Sequence, residues 1–255
     1  MTEVVFLGVG EAFDENLPNT SVLVRCGEKN SRVTLLLDCG FTATQQFWRE
    51  EPDRDKLDGV WISHFHGDHF FGVPALLVRF WLEGRTKALT FLGQEGIDQI
   101  IRKSLDLAYP GMYEKLTFPL RFLEVEPKKD IEAFGLHFNT AENGHSQRDL
   151  ALRIDVNGTS IYYSGDGQPT SETIALARGS QLIIQESYEV ETESPGHGTV
   201  KESIEMARKC GAAHLALVHI KREVRSEVKA KLKTFQELEE SLNILVPEPG
   251  AKVIL

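Results

Sequence analysis

Apolar residues fall along this chain in short runs, punctuated by turn residues and by a few stretches with helical spacing. Val4–Gly8, Ser21–Arg25 and Val33–Asp38 read as strands, and Thr42–Arg49 as a helix. Leu57–Ser63 is a buried strand that runs straight into His64-Phe65-His66-Gly67-Asp68-His69. Pro74–Leu82 carries a continuous apolar stripe with proline in its first turn, which predicts a helix. Ala88–Leu92 is a strand, and Ile97–Leu107 places Ile97, Ile100, Ile101, Ser104 and Leu105 on one helical face.

The second half repeats the style. Leu120–Val125 and Gly135–Ala141 read as strands, the latter leading to Asn143-Gly144-His145. Leu150–Val156 and Thr159–Ser164 alternate on either side of Asn157-Gly158, which predicts a hairpin with a type I′ turn, because both turn residues tolerate positive φ. This hairpin opens onto Gly165-Asp166-Gly167. Gln181–Glu186 is a strand, and Thr199–Cys210 a helix with a Thr199/Glu202 capping box and a stop at Gly211. Ala213–Val218 ends on His219, Glu223–Ser241 is a charged amphipathic helix, and Val246–Leu255 a closing strand. The mixture lacks strict βαβ alternation and shows no linker, low-complexity segment or internal repeat. One α/β domain over residues 1–255, with helices outside two packed sheets, is the simplest account.

Composition narrows the picture. The formal net charge is −10, whereas surfaces that grip polyanionic backbones carry a surplus of Lys and Arg, so extended nucleic acid is disfavoured as a partner. Cys26, Cys39 and Cys210 are scattered and odd in number, which fits small buried hydrophobes in a reducing compartment better than a disulfide framework. No apolar run reaches the ~20 residues of a membrane span, and the N-terminus reads as a strand, so a cytoplasmic protein is the expectation.

The chemistry concentrates in His64-x-His66-x-Asp68-His69. On a continuing strand His64, His66 and Asp68 would share a face, but Gly67 signals a turn that lets two pairs of donors face two ions. Imidazole and carboxylate together suit Zn²⁺ and, less selectively, Mn²⁺ or Fe²⁺. Six residues are too few to close two sites, and His145, Asp166 and His219 each stand just after a strand. His137 and His214 read as ordinary strand residues, and Lys221 and Arg222 as either phosphate contacts or a solvated helix start.

These residues resemble the H-x-H-x-D-H signature and later ligands of the metallo-β-lactamase superfamily, from Phe6-Leu7-Gly8 to about His219. The resemblance implies a four-layer αββα sandwich with two zinc ions at one edge of the sheets. His64, His66 and His145 would hold one ion, Asp68, His69 and His219 the other, and Asp166 would bridge them, with Asp38 as a support. Gly196-His197-Gly198-Thr199 and Gln185-Glu186-Ser187 are similar to motifs of the tRNase Z-like phosphodiesterase branch, although Gly198 replaces the usual Ser. The branch implies catalytic roles for three residues. Asp68 would orient a hydroxide shared by the metals, and His197, held by Glu186, would act as general acid. The long tRNA-gripping arm of that branch has no room between His145 and Asp166, which favours a small phosphodiester or short nucleotide substrate. A homodimer is suggested only by analogy with the branch. The alternatives are an ester, thioester or lactam hydrolase on the same site, and a non-catalytic metal-binding relative.

Overall fold

A computed structural model describes residues 1–27, 32–239 and 241–255. Strands β1 (Thr2–Gly8), β2 (Ser21–Cys26), β3 (Val33–Leu37), β4 (Gly59–Ile62), β5 (Leu89–Gly93) and β6 (Leu120–Glu124) lie side by side. The last strand, β14 (Lys252–Ile254), adds to the β1 edge. The second sheet comprises β7 (Ile131–Ala133), β8 (Leu136–Glu142), β9 (Leu150–Val156), β10 (Thr159–Tyr163), β11 (Leu182–Glu186), β12 (His214–Val218) and β13 (Asn243–Leu245), paired in that order.

The two sheets share one pairing logic. β1, β2 and β3 are antiparallel neighbours, and β3 to β6 then run parallel. β8, β9 and β10 repeat the antiparallel meander, and β10 to β13 repeat the parallel run. The sequence shows no such repeat, because strand pairing is conserved here without residue identity. Its consequence is functional: the C-terminal ends of β3, β4, β8, β10, β11 and β12 gather at one edge of the sandwich, where open α/β sheets present their binding residues.

Burial follows the alternation. Phe6, Trp61, Phe138 and Tyr163 interlock between the sheets. Phe47, Phe80 and Phe91 pack the outer face of the first sheet under α1 (Ala43–Glu50), α3 (Val73–Leu82) and α4 (Ile97–Ala108), while a one-turn helix, α2 (Gly67–Phe70), sits at the site. Tyr162, Met206 and Leu215 do the same for the second sheet under α5 (Ser171–Ala177), α6 (Val200–Cys210) and α7 (Arg222–Leu238). Each such large apolar side chain stabilises the fold by roughly 1.5–3 kcal/mol. The expected αββα sandwich is therefore the observed one.

Local signals mostly behave as the sequence predicts. Asn157 and Gly158 both have positive φ, at 47° and 79°, and Thr199 caps α6 with its reciprocal Glu202 bond while Gly211 closes it in the left-handed region. The expected closing strand Val246–Leu255 shortens to Lys252–Ile254, because Pro247 and Pro249-Gly250 cannot extend a ladder, and a separate strand, Asn243–Leu245, precedes it in the other sheet. The helix expected over Glu223–Ser241 ends at Leu238, and residue 240 of that stretch lies outside the described residues. Four short elements are not predicted by the sequence: α5, β7, β13 and a 3₁₀ turn at Tyr113–Lys115. Each is too short for periodicity to register. All three cysteines are buried and free, and no helix among the described residues is long and apolar enough to cross a membrane.

Candidate metal centre

The polar edge begins where β4 stops. Ser63 donates through both its backbone N–H and its hydroxyl to Asp38, and the chain then presents His64 and His66 in extended form. At Gly67 it coils into α2, which turns Asp68 and His69 towards the opposite side. Asp38 follows β3 and His219 follows β12, both in the left-handed region, with φ of 57° and 52°. Such conformations are costly outside glycine and persist where the surrounding structure enforces them. Gly165 (φ 67°) precedes Asp166, and a Cβ there would lie 2.5 Å from a carboxylate oxygen of Asp149, so both space and backbone require glycine.

Three imidazoles form the first cluster. His64 Nε2 lies 3.0 Å from His66 Nδ1, and His145 Nε2 lies 3.1 Å from the same atom. Two of them have protons already committed elsewhere. His64 Nδ1 faces Asp149 Oδ2 at 2.8 Å, and His145 Nδ1 donates to the Gly196 carbonyl at 2.7 Å. A carbonyl can only accept, so His145 Nε2 is a bare lone pair, and Asp149 places His64 in the same tautomer. Burial lowers the pKa of His66 and His145, and neighbouring imidazoles lower them further, which keeps both rings neutral. The lone pairs of His64 Nε2 and His145 Nε2 thus both converge on His66 Nδ1, an arrangement that a shared cation would satisfy.

The second cluster is fully buried and acidic. His69 Nε2 stands 3.2 Å from Asp68 Oδ2 and 3.3 Å from Asp166 Oδ2, and His219 Nε2 stands 3.5 Å and 3.4 Å from the same two oxygens. Zinc bonds of about 2.0–2.1 Å in a tetrahedron imply donor separations of about 3.4 Å. His69 Nδ1 is occupied by Asp38 at 2.8 Å, which again aims Nε2 inward. His69 Nε2 and Asp166 Oδ1 are buried without a hydrogen-bond partner. Burial works against a charged His69, but Asp166, Asp68 and Asp38 outweigh it and hold its pKa well above the ordinary value. The same contest, led by Asp166, lifts His219 to about 9. The His64 and His69 rings are 4.2 Å apart, so the clusters adjoin. On donor type, tautomer and unmet valence, both fit a divalent metal, and each group converges within one ion's reach.

His197 stands beside them. Its Nδ1 lies 2.8 Å from Glu186 Oε1, and the other carboxylate oxygen accepts the Gly198 N–H at 2.8 Å. Burial raises the Glu186 carboxyl well above the usual range, with Asp166 adding to the effect, and burial lowers the His197 pKa. A Cβ on Gly198 would come within 3.1 Å of Glu186 Oε2, so a larger residue there would press on the carboxylate that holds His197. Tyr188 stacks on His197, with centroids 4.5 Å apart at 26°. The hydrogen bond fixes one ring atom, and the stack fixes the ring plane.

All the residues singled out from sequence meet here except His137, which is exposed on β8, and His214, which pairs with Asn243 at 3.1 Å. Lys221 and Arg222 are held by Glu189 and Glu11, which favours the helix-start reading. Two buried supports escaped notice. Asp149 orients His64, accepts the Asp166 backbone N–H at 3.1 Å and takes a bond from Asn143 at 2.9 Å. Tyr163 donates to Asp38 at 2.6 Å. The one sequence signal for Asp149 was a carboxylate placed directly before an apolar strand, close behind His145. Between His145 and Asp166 the chain is filled by β9, the Asn157-Gly158 turn and β10. An open cleft of about 360 Å³ exposes both clusters, lined also by Glu11, Phe13, Tyr188 and His197.

Comparison with known proteins agrees with this architecture. A family model described as anti-Pycsar protein Apyc1 matches residues 2–240. Ribonuclease Z of Thermoplasma acidophilum is 24% identical, covering 95% of this chain and 94% of its own. The metallo-β-lactamase fold protein YhfI from Bacillus subtilis superposes with a TM-score of 0.79 at 21% identity, over 99% of this chain and 98% of that one. The short form of human tRNase Z gives 0.77 at 19%, over the same shares. The resemblance read from the ligand motifs, to the metallo-β-lactamase superfamily and its tRNase Z-like branch, is thereby borne out.

Proposed function

The chain belongs to the anti-Pycsar protein Apyc1 family, and from that membership and the geometry above we propose that it is a dinuclear zinc phosphodiesterase acting on small phosphodiesters or short nucleotides. At the coarser level it is a metal-dependent hydrolase of the nuclease or phosphodiesterase type, as its ribonuclease Z relatives indicate. One observation carries the finer reading: two adjoining donor clusters, with the outer nitrogens of His64, His69 and His145 tied off elsewhere, open into the same cleft as a histidine held by a buried carboxylate.

His64, His66 and His145 would hold one ion, Asp68, His69 and His219 the other, and Asp166 would lie between them. When bound, such a pair supplies a nucleophile from water at neutral pH and offsets charge on the phosphoryl oxygens. The protein's own residues do the rest. Asp149 and Asp38 fix the tautomers of His64 and His69. Asp68 reaches the cleft and would orient the attacking water. An alkoxide leaving group needs a proton, and His197, aligned by Glu186 and Tyr188, would give it. The net charge of −10 and the hairpin between His145 and Asp166 support small substrates over a dedicated tRNA-processing role. The continuous packing between the sheets supports reading residues 1–255 as one domain.

The test is metal analysis together with parallel assays on bis-p-nitrophenyl phosphate, a short oligonucleotide, a pre-tRNA, a thioester and nitrocefin. Two zinc ions per chain with preference for the small phosphodiesters is the expected result. Preference for the thioester or nitrocefin, or metal without turnover, would reject it. His197→Ala should retain both metals and lose roughly 10²–10⁴-fold on alkoxide-leaving esters, with a smaller loss on p-nitrophenyl esters, whose leaving group needs no proton. Loss of metal in that variant would make His197 a ligand instead.

A further inference from the structure

Tyr188 and Phe13 both line the cleft, but their rings are placed differently. Tyr188 is covered by His197, and Lys221 Nζ sits 5.7 Å from the centre of the same ring. Phe13 is 77% exposed, with no aromatic or cationic group recorded against its faces among the described residues. An isolated exposed phenyl would mean little. Here the backbone around it is firmly braced.

The brace runs through several groups. Buried Glu11 accepts the Phe13 N–H at 2.7 Å through one carboxylate oxygen and the Arg222 guanidinium through the other. Asn19 Nδ2 donates to the Ala12 carbonyl at 3.2 Å. Asp14 Oδ1 accepts from the N–H groups of Asn16 and Leu17 at 2.8 and 3.0 Å. At the root of the loop, the His219 N–H donates to the Val9 carbonyl at 3.0 Å, so the loop and a candidate metal donor are tied together. A ring held this way has already given up the backbone freedom that binding would otherwise cost.

From this geometry we infer that Phe13 is a stacking platform for a flat aromatic group on the substrate, namely the nucleobase of a nucleotide phosphodiester. The inference rests on the phosphodiesterase reading and adds a specificity determinant to it. Base–aromatic stacking is tolerant of base identity, so the platform would select nucleotides over simple phosphodiesters and discriminate weakly among bases. Lining the cleft while itself largely exposed, it would hold the base towards solvent and leave the phosphodiester to the donor clusters.

Two esters with the same leaving group test it: thymidine 5′-p-nitrophenyl phosphate and methyl p-nitrophenyl phosphate. Phe13→Ala should lower the ratio of their kcat/KM values by on the order of tenfold, mainly through KM, and Phe13→Trp should restore it. Calorimetry on the zinc-loaded protein gives a second readout, because Phe13→Ala should lower the affinity for thymidine 5′-monophosphate relative to inorganic phosphate by a similar factor. An unaltered ratio in both experiments, or an equal loss on both esters, overturns the inference. Were the wild type to cleave neither ester, the phosphodiesterase reading would fail, and the binding ratio would still decide on Phe13.

Discussion

Two buried polar clusters in this molecule share a high local charge and almost nothing else. Arg85, fully buried, donates to the carbonyls of Lys87, Leu57 and Ala88 at 2.7–2.9 Å and also to that of Arg54, with its guanidinium over the rings of Phe80 and Phe118. Its valence is met on every side, and it ties the loop before β4 to the turn before β5. The donor clusters at the sheet edge are built the other way. The outer nitrogens of His69, His64 and His145 are anchored by Asp38, Asp149 and the Gly196 carbonyl, while His69 Nε2 and Asp166 Oδ1 are left without hydrogen-bond partners. The contrast teaches that burial and charge alone do not mark a functional site. Unmet valence, aimed at a common point by satisfied supports, does.

Substitutions should therefore separate the clusters by what they damage. Asp166→Ala removes a donor from the open cluster, and turnover of bis-p-nitrophenyl phosphate should fall roughly a thousandfold, about 4 kcal/mol of transition-state stabilisation. Zinc content should drop to one ion per chain or fewer. Full zinc content with undiminished turnover would remove Asp166 from the open cluster. Arg85→Met should do the reverse. It strands four carbonyl acceptors and should cost about 3 kcal/mol in urea unfolding, while the folded fraction keeps wild-type kcat. Lost activity at full folding would erase the distinction.

The smallest effect concerns groups that neither cluster uses. Burial pushes the Cys26 thiol from its ordinary 9.0 up to about 11. The folded state holds that proton more tightly, so the associated stability is present below pH 9 and is lost as the pH rises towards 11, on the order of 1–2 kcal/mol. Urea midpoints at pH 8, 9.5 and 11 should fall more steeply for the wild type than for Cys26→Ala. Parallel slopes would remove the thiol from the account.

Much of this was legible in the chain. The H-x-H-x-D-H run, the donors after successive strands, the Asn157-Gly158 turn and the Thr199/Glu202 box were all readable, because each depends on residues a few positions apart. Missed elements were short, as with α5, β7 and β13, and the closing strand was cut back by proline to Lys252–Ile254.

What the linear order could not supply was partnership. Asp38 and Tyr163 meet across 125 positions, and Asp149 faces a histidine that precedes it by four strands. Nothing local in either pair distinguishes a support from a solvated side chain. Residue types and their strand-end positions are set by short-range geometry. Tautomers, the split into a neutral and an acidic cluster, and the stack of Tyr188 on His197 follow from sheet register and packing, which bring distant side chains within hydrogen-bond reach only once the two sheets close on each other.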